Sequence, residues 1–263
     1  LVTGKTDFAE GVLKVWLERA VMNDHVMPSE VNPHTGSLVT RACDAGLWFF
    51  YALDKLCDRT GRTNLVMENW THLTGLIERY IEGIPAIGIK LDKDGLLDLR
   101  SDDPGSNWMD GEIDGRPIVE RRGKLVEVNA LWYNALRTME QYSEILGREK
   151  EREEFGSRAE LSRKSFQDKF WCDKGYLYDW VEGKHRDESV RCNQILAVSL
   201  PASVMDPERG RSIVETCWNE LYTTFGLRTL DPHHEKYKGR CEGRIDQREK
   251  ARFMGMAWPW LLG

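Results

Sequence analysis

Long hydrophobic runs are missing from this chain of 263 residues. The longest, such as Ala45 to Leu53, fall far short of the roughly 20 apolar residues a membrane-spanning helix needs, so no membrane partner is expected. No signal peptide opens the sequence, and the expectation is a soluble, cytoplasmic protein. An excess of basic residues is missing too. Lys and Arg number 37 against 43 Asp and Glu, and the net charge of −6 comes with no Lys/Arg-rich block to overcome repulsion from phosphates. Nucleic acid is excluded as a partner on that ground. The six cysteines, at 43, 57, 172, 192, 217 and 241, contain no CxxC spacing, which fits reduced thiols and gives no thiolate metal site. His233 and His234 are adjacent, and chain neighbours seldom chelate one ion. No metal and no cofactor are therefore expected. A Pro/Gly/Ser-rich linker is absent as well, so residues 1–263 read as a single domain.

Helical periodicity is what the sequence has in quantity. Phe8, Val12, Val15, Trp16 and Ala20 form one stripe, and further helices are predicted at roughly 43–60, 63–83, 126–146, 148–170, 190–200, 208–223 and 249–262. Trp16, Trp70 and Trp218 lie inside amphipathic patterns and read as core. Strand-like alternation is scarce. Ile87 to Leu91, Pro117 to Glu120 and Tyr176 to Tyr178 read as extended pieces of hairpin loops. The helices come in pairs with short connections, the pattern of antiparallel helical hairpins. Longer connections at 21–42, 84–125, 171–189 and 224–248 are rich in Asp, Gly, Pro and Trp, and loops on a rigid scaffold are where chemistry is usually carried. Without a solenoid repeat, an all-α closed toroid is the expected architecture.

Chemistry concentrates in the second long connection. Asp102, Asp103, Asp110, Glu112 and Asp114 crowd into thirteen residues beside Trp108. Crowded carboxylates separate in ionisation, and one with a raised pKa is an acid catalyst of the kind glycosidic hydrolysis needs, paired with a second carboxylate. The bland reading, a solvated acidic turn, has about equal standing on composition alone. The offsets do not match an EF-hand calcium loop. Next comes a helix beginning Val126-Glu127-Val128-Asn129 and continuing through Trp132, Tyr133 and Asn134, whose polar groups need partners. Sugar hydroxyls and an interhelical network serve equally well.

Asn107-Trp108-Met109-Asp110, followed by Val126 to Asn134, resembles the catalytic domain of prokaryotic-type glycogen debranching enzymes, the amylo-α-1,6-glucosidases. Cys43 to Phe50, Val190 to Ile195 with Ser199-Leu200-Pro201, Gly226 to Leu230, Tyr237 to Arg240 and Trp258 to Gly263 match further blocks of that family in order. The resemblance implies an (α/α)6 toroid, a six-hairpin glycosidase, and hydrolysis of α-1,6-linked glucose with inversion. It implies Asp110 as general acid, with Asp44, Trp48, Trp108, Glu127, Asn129, Arg191, Asn193, Gln194 and Trp260 around the glucose. An α-glucan is the expected partner. Two departures stand out. Arg252-Phe253-Met254-Gly255 replaces the family's Tyr-His-Gln-Gly, and about eight helical patterns are visible where twelve close a ring. The chain is thus expected to be a toroid lacking terminal helices, with exposed apolar surface and self-association as the consequence.

The general base is not named by the sequence. Glu249 ranks first among the carboxylates before the Trp258-Pro259-Trp260 block, ahead of Asp246 and Glu242. A catalytically impaired α-glucan-binding relative is the main competing reading. An α/α-barrel epimerase would need paired bases, for which only His233 and His234 offer themselves.

Overall fold

A computed structural model describes residues 1 and 3–259. Nine α-helices form among them: α1 Thr6–Met22, α2 Ala45–Thr60, α3 Asn64–Glu68, α4 Trp70–Glu82, α5 Val126–Ile145, α6 Glu149–Phe170, α7 Leu196–Ser199, α8 Pro207–Thr216 and α9 Ile245–Phe253. The central one is α5, which packs along α6 and against α2 and α7, while α1 lies on α2 and α4. Its burial explains the arrangement: Val126 through Leu136 are buried without interruption, so α5 is covered on every side at its N-terminal half. By contrast α6 buries only Phe155, Ala159, Ser162, Phe166 and Phe170, a stripe at spacings of three and four. Its outer face carries short-range ion pairs such as Arg158 with Glu154 and Arg163 with Glu160. Local signals set the ends. Gly61 closes α2 in the left-handed region at φ 66°, and Asp206 caps α8 by accepting from Arg209 N–H at 3.0 Å, with Pro207 in the first turn.

The expectation of an all-α (α/α)6 toroid is overturned. The chain is about 50% helical and carries 14% strand in several sheets. Among the described residues there are fourteen short strands: β1 Glu30–Val31, β2 Leu38–Val39, β3 Ile89–Leu91, β4 Leu97–Leu99, β5 Glu112–Ile113, β6 Arg116–Pro117, β7 Lys124–Leu125, β8 Trp171–Cys172, β9 Tyr176–Leu177, β10 Trp180–Glu182, β11 His185–Arg186, β12 Tyr222–Thr223, β13 Gly226–Arg228 and β14 Ala257–Trp258. They pair as hairpins β1-β2, β3-β4, β5-β6 and β8-β9, and as antiparallel three-stranded sheets β7-β10-β11 and β12-β13-β14. The long connections therefore hold pairing backbone in place of simple loops. Two sheets position the site. Leu125 pairs with Trp180, which docks the segment after α6 onto the start of α5; Leu227 pairs with Trp258, which brings the end of the described chain back onto β13.

Several local expectations change as well. The helix predicted over 249–262 stops at Phe253, and the chain passes through Gly255, at φ 144°, into β14. The helix predicted over 190–200 is a 3-10 turn, Cys192–Ile195, followed by the single turn α7. Past Thr216 the 208–223 helix loosens into one π turn, Cys217–Leu221. Trp70 is buried as expected, whereas Trp218 is exposed. On α1 the buried face is Leu13, Leu17 and Ala20, and Phe8, Val12 and Val15 lie exposed.

Candidate active site

The loop from Ser101 to Asp114 is held near its start and in its first half. Arg41 pairs with Asp103 at 2.6 Å, and Cys43 N–H donates to Ser106 C=O at 2.9 Å, so the loop is fastened to the start of α2. That join brings Asp44, next to Cys43 in the chain, to the level of Asn107, next to Ser106. Asp44 is buried and accepts from Trp48 Nε1 at 3.1 Å. Burial, followed by the nearby Glu127, pushes its carboxyl up to about 6.

Beneath the loop lies a buried ionic cluster. Arg121, whose side chain is sealed from solvent, donates to both oxygens of Glu127 at 2.6 Å each and to Asp179 at 2.7 and 3.2 Å. Burial works to lower the Arg121 pKa, and Asp179 and Glu127 outweigh it and hold the guanidinium charged. Asn193 Nδ2 donates to Asp179 at 2.7 Å, and its carbonyl accepts from Trp108 Nε1 at 2.9 Å, so the indole is oriented by the same cluster. Arg191 lies 3.7 Å from Asp179 and donates to the carbonyls of Thr229 and Phe253 at 3.1 and 2.9 Å. Its pKa is lowered by burial, which Asp179 only partly offsets.

Asp110 projects from this loop next to Trp108. The side chain is exposed, yet enough protein flanks the carboxyl for desolvation to raise its pKa. Glu249 and Glu30 add to the rise through their charge, and Arg41 opposes it. Glu249, on α9, is thus within electrostatic reach of Asp110, and it is held by Arg252 at 3.1 Å. Around them Trp108, Phe253 and Trp258 form an aromatic cluster, with centroids 5.9 Å apart for the two indoles and 6.3 Å for Trp108 with Phe253. Gly111 permits this packing, because a Cβ there would collide with the Phe253 ring. The departure at 252–254 accordingly has a structural job: Phe253 closes over Trp108, and Met254 Sδ rests 3.8 Å from Arg191 Nη2.

Not every expected residue faces this surface. Asn129 is fully buried, accepting from Leu97 N–H at 2.7 Å and donating to the carbonyls of Leu97 and Leu125 at 3.1 and 3.0 Å. Gln194 accepts from Leu177 N–H and donates to Arg191 C=O. Both are backbone clamps. Trp260 lies outside the described residues. A cleft of about 220 Å³ runs behind the loop, lined by Asp102, Asp103, Asn107, Glu120 and Arg121. A larger one, of about 690 Å³, is lined by paired charges such as Lys124 with Asp92 and Arg100 with Asp98, and includes neither Asp110 nor Trp108.

The sequence profile of the amylo-alpha-1,6-glucosidases matches residues 1–263. The chain belongs to the amylo-alpha-1,6-glucosidase family. It is a domain of the glycogen-debranching type. Among solved structures, a GH78 family rhamnosidase of Bacillus sp. GL1 is similar at 19% identity and a TM-score of 0.63, over 82% of this chain and 21% of the rhamnosidase. A sialidase is similar at 14% identity and a TM-score of 0.62, over 81% of this chain and 18% of its own. A rhamnosidase from Klebsiella oxytoca with rhamnose bound gives 16% and 0.52, over 74% and 34%. At such identities the likeness is one of fold, and the chain spans about a fifth of the length of the first two. No curated protein matches the sequence.

Arg121, Asp179, Arg41 and Glu30 act on the residues of the candidate site and were not singled out from the sequence. Arg121 and Arg122 are indistinguishable as letters, yet one is buried and its neighbour exposed. The available signal was period-two alternation into β7, with Arg121 on the inward side alongside Gly123 and Leu125.

Proposed function

We propose that this amylo-alpha-1,6-glucosidase-family chain hydrolyses α-1,6-glucosidic branch linkages in glycogen-like α-glucans with inversion, Asp110 acting as general acid and Glu249 as general base. The observation that carries this reading is the carboxyl of Asp110 beside Trp108, raised by desolvation, with Glu249 near enough to act on it through charge. Asp110 has a raised pKa, Glu249 contributes to the rise, and among the described residues no hydrogen bond joins the two. Inverting hydrolases keep such groups roughly 6.5–9.5 Å apart so that a water fits between them. This reading assigns the partly buried indoles of Trp108 and Trp48 to contact with the glucose ring, with Asp44, Arg191 and Asn193 as polar support. Glu127 acts one layer deeper, through Arg121.

Asp110→Asn keeps the shape and removes the proton. Release of glucose from branched limit dextrin is expected to fall about 10²–10⁴-fold, the usual worth of a general acid, while maltooligosaccharide affinity is unchanged. Turnover like that of the parent would overturn the assignment. Because the acid must be protonated, the alkaline limb of the kcat/KM profile belongs to Asp110, and activity is lost as pH rises through its raised pKa.

One observation favours a second reading, a catalytically impaired α-glucan-binding relative. The carboxylate of Glu249 is engaged by Arg252, a residue that departs from the family pattern. Parent protein that binds maltooligosaccharides yet releases no glucose supports this alternative.

A further inference from the structure

Far from Asp110 in sequence, two polar segments meet around His233. The adjacent histidines diverge: His234 accepts from Lys236 N–H through Nδ1 at 3.1 Å and faces the Ser189 hydroxyl, while His233 turns toward Glu220, its Nε2 lying 3.8 Å from Glu220 Oε2. Asp231 completes a trio whose ligand atoms all lie within 4.8 Å of one another. Backbone structure fixes each position. Glu220 sits in the π turn Cys217–Leu221, anchored by buried Cys217 and Leu221. Asp231 is set by its N–H to Val190 C=O at 3.0 Å, and its carboxylate accepts from His233 N–H at 2.8 Å. Two carboxylates are thereby held close together, and among the described residues neither forms an ion pair with a Lys or Arg.

We propose that Glu220, Asp231 and His233 bind one divalent transition-metal ion, with zinc as the fitting probe. Two observations carry this. The donor set is one imidazole nitrogen and two carboxylate oxygens, which suits zinc better than calcium or magnesium. The spacing is also within reach of one ion: the ligand atoms lie within 4.8 Å of one another, and His233 and Glu220 at 3.8 Å, against about 3.4 Å for a tetrahedral ion with bonds of about 2.0–2.1 Å. The exposed His233 side leaves a path for the ion and room for water as a further ligand. Its role is to fasten the loop that begins at Thr229, whose carbonyl accepts from Arg191, onto the π turn. It takes no part in hydrolysis, so the inference stands apart from the proposed function.

Calorimetric titration with zinc chloride tests it, on a Cys241→Ser background because Cys241 is the exposed cysteine. One ion per chain and a raised melting temperature are expected. His233→Ala and Glu220→Gln should each weaken zinc affinity at least about tenfold, as loss of a metal contact does. His72→Ala, which removes half of the His25–His72 pair, should leave affinity unchanged. Absence of zinc binding, unchanged affinity in His233→Ala, or binding lost with Cys241 or His72 instead would each overturn the proposal.

Discussion

Asp44 is 7% exposed, bonded to the Trp48 indole and close to Glu127. Its carboxyl is raised from 3.8 to about 6, so the folded chain keeps a proton that the unfolded chain has already released. The sign follows. Stability linked to this group is fully present below about pH 4 and is lost as pH rises to about 6, a total of about 3 kcal/mol for a shift of this size. Asp44→Asn retains an acceptor for the indole and cannot ionise. It is expected to melt above the parent at pH 7.5 and level with it near pH 4, which thermal denaturation at the two pH values checks. An equal offset at both would sink the argument. At this scale the sequence was only partly legible: the resemblance pointed to Asp44 and Asp110, but the exposure of Asp110 depends on how the loop is pinned by Arg41 and Cys43.

The long helices were legible and most strands were not. Periodicity over sixteen to twenty-two residues accumulates enough signal to place α2, α5 and α6 within a few positions. Strands of two or three residues give alternation nothing to repeat, and their pairing is decided by glycine turns such as Gly95 and Gly183 and by contacts distant in sequence. The pairing of β7 with β10 is the costliest omission, because it brings Asp179 to Arg121 and Glu127. Removing the cation from that cluster strands two buried carboxylates. Arg121→Met is therefore expected to cost about 3–5 kcal/mol in chemical denaturation. The triple exchange Arg121→Met, Glu127→Gln, Asp179→Asn should recover a large part of that loss. A single substitution costing under about 1 kcal/mol, the level of an exposed pair, would show that the cluster carries little weight.

Over the whole molecule, the apolar stripe on α1 is left facing outward: Phe8 is 74% exposed and Met22 75%, with Val12 and Val15 between them. Exposed apolar surface of this kind promotes association. Sedimentation velocity is expected to show a species that grows with concentration, and Phe8→Ser with Val15→Lys should return a monomer. A single sharp monomer at every concentration would contradict this. The cluster around Arg121 has a different reach, because its members come from two separate stretches of chain and both carboxylates depend on the one guanidinium, like stones on the keystone of an arch. Substitution cannot pass through these positions one letter at a time without a poorly folded intermediate. Drift at 121, 127 and 179 is confined to simultaneous change, so these three letters should be inherited together while the exposed Arg122 next door varies freely.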